Sequence, residues 1–454
     1  MRNLKRALSL VLAAMMLIGM MVVSAGAASK DFTDKDEIVN DEAVNTLVAL
    51  NVISGKEDGS YFDPTGIVTR AEMAKMITVV LNGGREPNLG TKTTPSFSDI
   101  DGHWAEAYIE YCTSLGIIAG RGNGKFDPDA TVTGSEAAKM VLIAMGYTAE
   151  NSNFVGSSWE INVNATASSK GLYDKMSVVA SAPLNRDNAA LMVYNGLNAE
   201  MVEYDYKLNT VNGNLVTVAI AKDRTGVTLL SDKFDLTKYE GYLQDASYDA
   251  TNKNYDYSVA VAMGTAADNT AANGYTFTDV ADDYSNLFGQ KVQVLFKNGE
   301  RDEVYGIFGL ADVVAQTEVG ELPTLTGSET SFKINGTKYK VDTTVNDVKA
   351  YELLTATNSA LDTLDGVAAK ANYTLKLIDN NNNGKIDSAV VVPFTVAKVT
   401  YVGAKSITAG SNYTFEDANI ANGIEKGDYV KIIAAVNTVD NTDTVTKLDT
   451  IEGT

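Results

Sequence analysis

The sequence predicts a multidomain protein in which an all-α module of three repeated units is followed by all-β domains, each resembling a small barrel or sandwich. Apolar residues recur at helical spacing up to about residue 206, and short alternating strands separated by Gly, Asn and Asp follow. A chain of 454 residues is long enough for several domains. The predicted boundaries are 1–27 for a leader, 28–84, 95–148 and 151–206 for the helical units, and 207–320 and 321–454 for β domains.

The composition excludes several classes of function. The 37 Lys and Arg residues face 58 Asp and Glu residues, which gives a formal net charge of −21. This acidity argues against nucleic acid as a partner, because phosphate binding relies on clustered basic side chains. A single histidine, His103, and a single cysteine, Cys112, exclude zinc sites built on thiolate or imidazole and also an internal disulfide. They leave little material for a Ser-His-Asp or Cys-His catalytic centre.

The first residues are typical of a secretory signal peptide. Three basic side chains lie within residues 1–6, an apolar run follows from Ala7 to Val23, and small residues occupy 24–28. This pattern predicts export and cleavage after Ala27, whereas the alternative is a retained single-span anchor. No later stretch is long and apolar enough to cross a bilayer, so we expect no membrane span once the leader is removed.

Three related units fill the first two-fifths of the chain. Residues 32–81 and 97–146 align with each other, and a more degenerate third copy runs from about Phe154 to Tyr206. In the first two units a Thr three residues before a Glu, as at Thr69 and Thr133, predicts a capping box at the start of a helix. Each unit reads as helix, loop, helix with one apolar stripe per helix, so the three units are expected to pack into one domain.

These units resemble the S-layer homology (SLH) domain of bacterial surface proteins. The resemblance rests on Phe-x-Asp starts, Gly-Ile and Gly-Leu pairs, Phe-x-Pro turns, His103-Trp104-Ala105 and Thr69-Arg70-Ala71-Glu72. It covers roughly residues 32–206. It implies a three-lobed, pseudo-threefold helical module that docks on secondary cell-wall polysaccharide, often through a pyruvyl-ketal sugar. It also implies a secreted protein located at the cell wall or S-layer surface of a bacterium.

The residues themselves fit such a ligand, since a pyruvyl ketal presents a carboxylate on a sugar. A helix N-terminus offers unsatisfied N–H groups, and an arginine in its first turn adds a fork of donors. Arg70 follows the N-cap Thr69, and Arg186 holds the same position in the third unit. An indole is able to stack on a sugar ring. The predicted polysaccharide-binding residues are therefore Arg70, Arg186, Trp104, Trp159 and Thr69.

Other roles for these residues remain open. The arginines would instead be solvated or paired with acidic neighbours, and the tryptophans would be core residues of their helices. The second unit has Gly134 where the motif expects Arg, the first has Val39 at the tryptophan position, and the third has Asp187 and Asn188 in place of Ala-Glu. No unit keeps every expected ligand group. Sites built between neighbouring units are therefore expected, and one or two of them rather than three.

The β region contains one motif that suggests metal binding. Residues 379–387 read Asp-Asn-Asn-Asn-Asn-Gly-Lys-Ile-Asp, and they follow the calcium-loop template at positions 1, 3, 5, 6 and 9. However, position 12 is Val390 instead of a bidentate Glu, and predicted strands flank the loop. A possible calcium ion and a simple polar hairpin tip both remain open. The predicted ligands are Asp379, Asn381, Asn383 and Asp387.

The function favoured by the sequence is that of a structural surface-layer protein, not an enzyme. The helical module would bind wall polymer, and the β domains would face outward and self-associate in a lattice. One alternative is an adhesin or another binding protein displayed by the same anchor. A less favoured one is a wall-anchored glycan-active enzyme, since glycoside hydrolysis needs only two carboxylates. The β region contains no tryptophan, although tryptophans commonly line glycan clefts.

Overall fold

The computed structural model describes residues 32–447 with internal gaps. These gaps are 57–58, 88–93, 178–179, 212–213, 250–251, 253, 263–264, 320–330, 335, 343–348, 353–359, 362–372, 416–418, 421–422 and 435–442. The predicted signal peptide lies outside the described residues. The chain divides into two compact units, Met1–Thr237 with Lys297–Gly299 and Lys238–Phe296 with Glu300–Thr454. Among the described helices, none has the length and apolar character needed to span a membrane.

The first unit contains the helical module. Its helices are α1 Asp41–Ala49, α2 Arg70–Leu81, α3 Glu106–Ser114, α4 Gly134–Ala144, α5 Trp159–Ser169, α6 Arg186–Asn198 and α7 Leu229–Phe234. The first six form one pair per repeat, which confirms the predicted helix–loop–helix units. Thr69 and Thr133 form the predicted capping boxes, and the side chain of Asn185 caps α6. Cys112 is buried, and burial raises the pKa of its thiol to about 12.

A closed ring of three backbone hydrogen bonds joins the repeats. The N–H of Val68 donates to the carbonyl of Leu184 (2.9 Å), that of Leu184 to Val132 (3.0 Å), and that of Val132 to Val68 (3.0 Å). All three side chains are buried. Because each repeat gives one bond and receives one, the repeats are related by a pseudo-threefold axis that passes through this ring.

The Phe-x-Asp starts hold the Phe-x-Pro turns. The carboxylate of Asp99 accepts hydrogen bonds from the N–H groups of Phe126 (2.9 Å) and Asp127 (2.8 Å), and Asp34 does the same for the corresponding turn of the first repeat. Asp127 lies in the left-handed region at φ 57°, which is a strained conformation for a residue with a side chain. Desolvation alone would raise the pKa of Asp99, but the backbone N–H donors outweigh it and the pKa lies below the ordinary value of 3.8.

A two-stranded antiparallel ribbon follows the module. Its strands are β1 Glu200–Val211 and β2 Asn214–Thr228. At the base of the ribbon, Met201 and Val202 are buried, and the N–H of Val202 donates to the carbonyl of Met145 (2.9 Å). The short helix α7 then packs against α2 and α6. The sequence did not predict α7, because six residues with one buried Leu-Leu pair are too few to show helical periodicity.

The second unit contains three larger sheets and one small hairpin, β9–β10. The first sheet has the order β5-β4-β3-β6-β7, the second β12-β11-β14-β13-β8 and the third β17-β16-β15-β19-β20-β18. Most pairs are antiparallel, and β6 and β7 form a hairpin whose connection contains Asn298-Gly299. The bounds are β3 Leu236–Asp249, β4 Asn254–Ala260, β5 Gly274–Val280, β6 Lys291–Lys297, β7 Val304–Gly309, β8 Asp312–Val319, β9 Ser331–Ile334, β10 Thr337–Lys340, β11 Lys349–Glu352, β12 Ala360–Leu361, β13 Tyr373–Asp379, β14 Ser388–Pro393, β15 Thr395–Val402, β16 Ser406–Ala409, β17 Ser411–Thr414, β18 Asn419–Ile420, β19 Tyr429–Ala434 and β20 Asp443–Lys447. The predicted order of a helical module followed by β domains is confirmed.

The Asp99 carboxylate is expected to stabilise the helical module measurably. Both tryptophans lie in this module, so their fluorescence during urea unfolding reports on it alone. We expect Asp99→Ala to lower the free energy of unfolding at pH 7 by about 1–2 kcal/mol, because two backbone donors lose a charged acceptor. Since the folded pKa is depressed, this stabilisation is present above the unfolded pKa and is lost as the pH falls through the folded pKa.

The matched control for this experiment is Asp101→Ala, which removes an exposed carboxylate from the same segment. It should leave the unfolding curve within about 0.5 kcal/mol of the parent. A difference between Asp99→Ala and the parent that persists in acid would contradict the role assigned to the ionised carboxylate.

Candidate functional site

Two grooves lie between the repeats, and their linings correspond. The first groove has a volume of about 320 Å³ and the second about 440 Å³. In each, one repeat supplies an arginine, the next supplies a Glu and a Lys one helical turn apart, and the remaining repeat supplies a tryptophan. These residues are Arg70, Glu136, Lys139 and Trp159 in the first groove, and Arg186, Glu72, Lys75 and Trp104 in the second. The structure therefore brings each predicted arginine to a predicted tryptophan of another repeat.

The third equivalent position lacks all four groups. The pseudo-threefold relation puts Gly134 in the place of the arginine, Asn188 and Leu191 in the places of Glu and Lys, and Val39 in the place of tryptophan. A Cβ on Gly134 would lie 3.0 Å from the carbonyl oxygen of Ala180, so the neighbouring backbone leaves little room for a side chain. Two grooves are equipped in the same way and the third is not.

Arg70 is held firmly at the edge of the first groove. Its Nε donates to the carbonyl of Phe126 (2.9 Å), its Nη2 to that of Ala119 (3.1 Å), and its Nη1 to Glu136 (3.1 Å). The guanidinium carbon also lies 4.3 Å from the centre of the Phe126 ring. Desolvation lowers the pKa of Arg70, and Glu136 acts in the opposite direction. The arginine therefore links its own repeat to the turn of the next one.

Arg186 repeats this arrangement in the second groove. Its Nε donates to the carbonyl of Phe62 (2.8 Å) and its Nη2 to that of Ser54 (3.0 Å), with the Phe62 ring centre 4.8 Å away. Its neighbour Asp187 is buried and accepts a hydrogen bond from the backbone N–H of Asn40 (3.1 Å). The residue that departs from the Ala-Glu pattern thus ties the third repeat to the first.

The expectation that free N–H groups at the helix N-terminus face a ligand is wrong for α2. The N–H of Arg70 donates to the carbonyl of Ala130 (2.9 Å), and that of Ala71 donates to Pro128 (3.0 Å). The hydroxyl of Thr69 is used in the capping box. The carbonyl groups of the next repeat occupy these donors because the ring of backbone bonds brings that repeat against the helix start.

One tryptophan lines each groove. Trp104 is 56% exposed, so it is not a core residue, and the rings of His103 (5.5 Å) and Tyr108 (6.3 Å) flank it. Trp159 is half-buried at the start of α5, with the ammonium of Lys139 5.5 Å from its ring centre. Desolvation lowers the pKa of Lys139, while Glu150 opposes the shift.

Three basic residues of the grooves were missed in the sequence. Arg121 donates to Glu136 (3.0 Å) beside Arg70, and Lys139 and Lys75 lie one helical turn after the capping-box Glu of their helices. The signal was present as Thr-x-x-Glu-x-x-Lys in the first two repeats. The third repeat has Leu191 at the lysine position, which agrees with its unequipped groove.

The loop 379–387 joins two sheets of the second unit. Asn380 is buried, and its Oδ1 accepts from the N–H of Lys291 (2.6 Å) while its Nδ2 donates to Asp387 (2.9 Å). The carboxylate of Asp379 accepts three backbone N–H groups of its own loop, and the amides of Asn381 and Asn383 donate to Asp342. The strands predicted on both sides are β13 and β14.

This arrangement gives the loop a structural role and leaves the calcium site a prediction. Within the described segments, no group of three or more His, Cys, Asp or Glu side chains is arranged to hold a metal ion. Desolvation raises the pKa of Asp387, although its hydrogen bonds from Asn380 act in the opposite direction.

Comparison with known proteins identifies the helical repeats. The family model described as S-layer homology domain matches residues 31–74 and 96–138. These repeats belong to the S-layer homology family. The third repeat keeps the same pair of helices and the same place in the backbone ring, although the family model does not match it.

Proteins similar to this chain include several surface proteins. A cell surface protein of Thermoanaerobacter kivui is 27% identical over 402 residues, which cover 85% of this chain and 46% of that protein. The S-layer protein EA1 of Bacillus anthracis is 33% identical over 22% of the chain and 11% of its own length, and a cellulosome-anchoring protein of Acetivibrio thermocellus is 32% identical over 20% of each. The chain spans less than half the length of these curated relatives.

The first of these similarities reaches beyond the module. Since α6 ends at Asn198, a match over 85% of the chain must extend well into the β region. The chain is therefore similar to this cell surface protein in its β region as well as in its helical module.

The two arginines of the first groove are expected to differ in their effect on folding. Arg70→Ala should lower the free energy of unfolding of the module by about 2–3 kcal/mol, because it leaves the carbonyls of Phe126 and Ala119 without their side-chain donor and removes one of the two guanidinium groups at Glu136. Arg121→Ala should cost less than about 1 kcal/mol, since the Arg121 side chain is 40% exposed and Arg70 remains beside Glu136. Urea unfolding followed by tryptophan fluorescence compares the two, and equal costs would contradict the structural role of Arg70.

Proposed function

We propose that the SLH module anchors this surface protein to the bacterial wall by binding secondary cell-wall polysaccharide in its two equipped grooves. The observation that carries the proposal is the recurrence of one guanidinium, one ammonium and one indole, from three different repeats, around each groove. A carboxylate such as a pyruvyl ketal would accept hydrogen bonds from the cationic groups, and the indole would cover a sugar ring.

The cationic groups of the grooves provide local positive charge on a chain that is acidic as a whole. The protein carries a formal net charge of −21, and an anionic wall polymer would be repelled at long range. Beyond about 10 Å this repulsion is screened near 0.1 M salt, so the local charges decide binding. Contacts with Arg121, Lys139 and Lys75 would weaken as salt is added, and binding would therefore fall at high ionic strength.

The β domains, in this proposal, form a structural surface layer by self-association, and the chain is not an enzyme. The similarity to a cell surface protein over 85% of the chain supports a role at the surface for the β domains as well. The carboxylates of the loop 379–387 accept hydrogen bonds from the loop's own backbone, and Asn380 joins this loop to Lys291 of the neighbouring sheet.

The proposal is tested by co-sedimentation of the mature protein with purified wall sacculi, before and after acid extraction of the secondary polymer. Extraction should abolish binding. Arg121→Ala in the first groove and Trp104→Ala in the second should each weaken binding about tenfold, and the double variant should weaken it further, since each group touches a different groove.

These two substitutions are chosen because neither side chain supports the fold in the way that Arg70 and Arg186 do. Val39→Ala is the matched control, because it alters the exposed residue at the unequipped third position. Binding that survives extraction would disprove a polysaccharide ligand. Binding that Val39→Ala weakens as much as Trp104→Ala would disprove the assignment to two grooves.

A further inference from the structure

The distal half of the β1–β2 ribbon presents an uncovered strand edge. The ribbon is a two-stranded sheet, and in the described part of the chain no third strand pairs with β1. Tyr206 is 66% exposed and Leu208 is 71% exposed, although both lie in a regular strand. A long strand edge with unpaired amides and apolar side chains is a template for pairing with another chain.

The free edge begins where the module stops covering it. The N–H of Val202 points away from β2 and donates to Met145. Because backbone direction alternates along a strand, Tyr204, Tyr206 and Leu208 direct their N–H and C=O groups to the same side as Val202. Register pairing to β2 continues without interruption from Val202 to Val211, so no bulge protects this edge.

We propose that this edge pairs antiparallel with the same edge of a second copy of the chain, about a twofold axis at Tyr206. Tyr206 then lies opposite Tyr206 of the second copy, and Tyr204 lies opposite Leu208 of the second copy, with backbone hydrogen bonds between them. Asp205 lies opposite Lys207 of the second copy in a non-hydrogen-bonded pair, where side chains approach most closely. The twofold axis produces this ion pair twice.

Charge selects this register over its neighbours. A shift of two residues in one direction puts Asp205 opposite Asp205 of the second copy, and a shift in the other puts Lys207 opposite Lys207 of the second copy. Like charges directly opposite each other destabilise a strand pair. Neither Asp205 nor Lys207 takes part in an ion pair recorded among the described residues. The complementary charges are therefore available to a second copy.

The pairing involves few residues, as expected for a weak contact that is repeated many times in a layer. It ends at Tyr204, because the carbonyl of Met145 already occupies the edge at Val202. Five residues of each copy take part, so a single contact forms only at high protein concentration and many contacts would act together in a layer. The inference rests on the self-association part of the proposed function and does not involve the grooves.

Charge exchange in the mature full-length protein tests the proposal. Asp205→Lys places Lys against Lys at both symmetric positions, and Lys207→Asp places Asp against Asp. Each should raise the dimer dissociation constant about tenfold or more in sedimentation-velocity experiments at low salt. The double variant D205K/K207D restores opposite charges and should return the dissociation constant to within about threefold of the parent.

Lys333→Asp is the matched control, because it makes the same charge change on an exposed strand residue elsewhere and should leave association unchanged. A parent protein that stays monomeric throughout the concentration range would overturn both this pairing and self-association in solution. A parent that associates while the single variants associate equally well, or while the double variant fails to recover, would overturn the pairing alone.

Discussion

The ring of three backbone hydrogen bonds at Val68, Val132 and Leu184 is the constraint on which the helical module depends. It fixes the start of each second helix against the turn of the next repeat. That contact places an arginine of one repeat beside a Glu and a Lys of another. A single repeat has no complete groove, because the groups that line each groove come from three repeats.

The guanidinium groups that line the two grooves also hold neighbouring repeats together. Arg70 and Arg186 each donate two guanidinium N–H groups to backbone carbonyls of a neighbouring repeat, and each guanidinium lies over a phenylalanine ring of that repeat. These bonds hold each guanidinium in one orientation, which would reduce the entropy lost if the proposed ligand binds there. At the third position Gly134 has no side chain, and it keeps only the backbone bond to Ala182 that corresponds to the bonds from Arg70 to Ala130 and from Arg186 to Gly66.

Local signals in the sequence were sufficient for the elements but not for their meeting points. Capping boxes at Thr69 and Thr133 and the residue patterns of β6, β7 and β13 act over a few residues, so these helix starts and strands were predicted, whereas the short helix α7 was not. The sequence did not predict that the carbonyls of Pro128 and Ala130 accept the N–H groups at the start of α2, because these residues lie about 60 positions away in the chain. The sequence also did not predict the contact between Asn380 and Lys291, which joins two sheets, because these two residues are far apart in the chain.

Because only two of the three grooves carry the cationic and aromatic groups, the three possible rotations of the module about its pseudo-threefold axis are not equivalent. A module with three identical grooves could meet an extended ligand in three ways, each turned by a third of a circle from the last. With Gly134, Leu191 and Val39 at the third position, only one pair of adjacent grooves carries the cationic and aromatic groups. A polymer chain that binds in both grooves would therefore fix the orientation of the module about its pseudo-threefold axis. All copies bound to the same polymer chain would then have the same orientation.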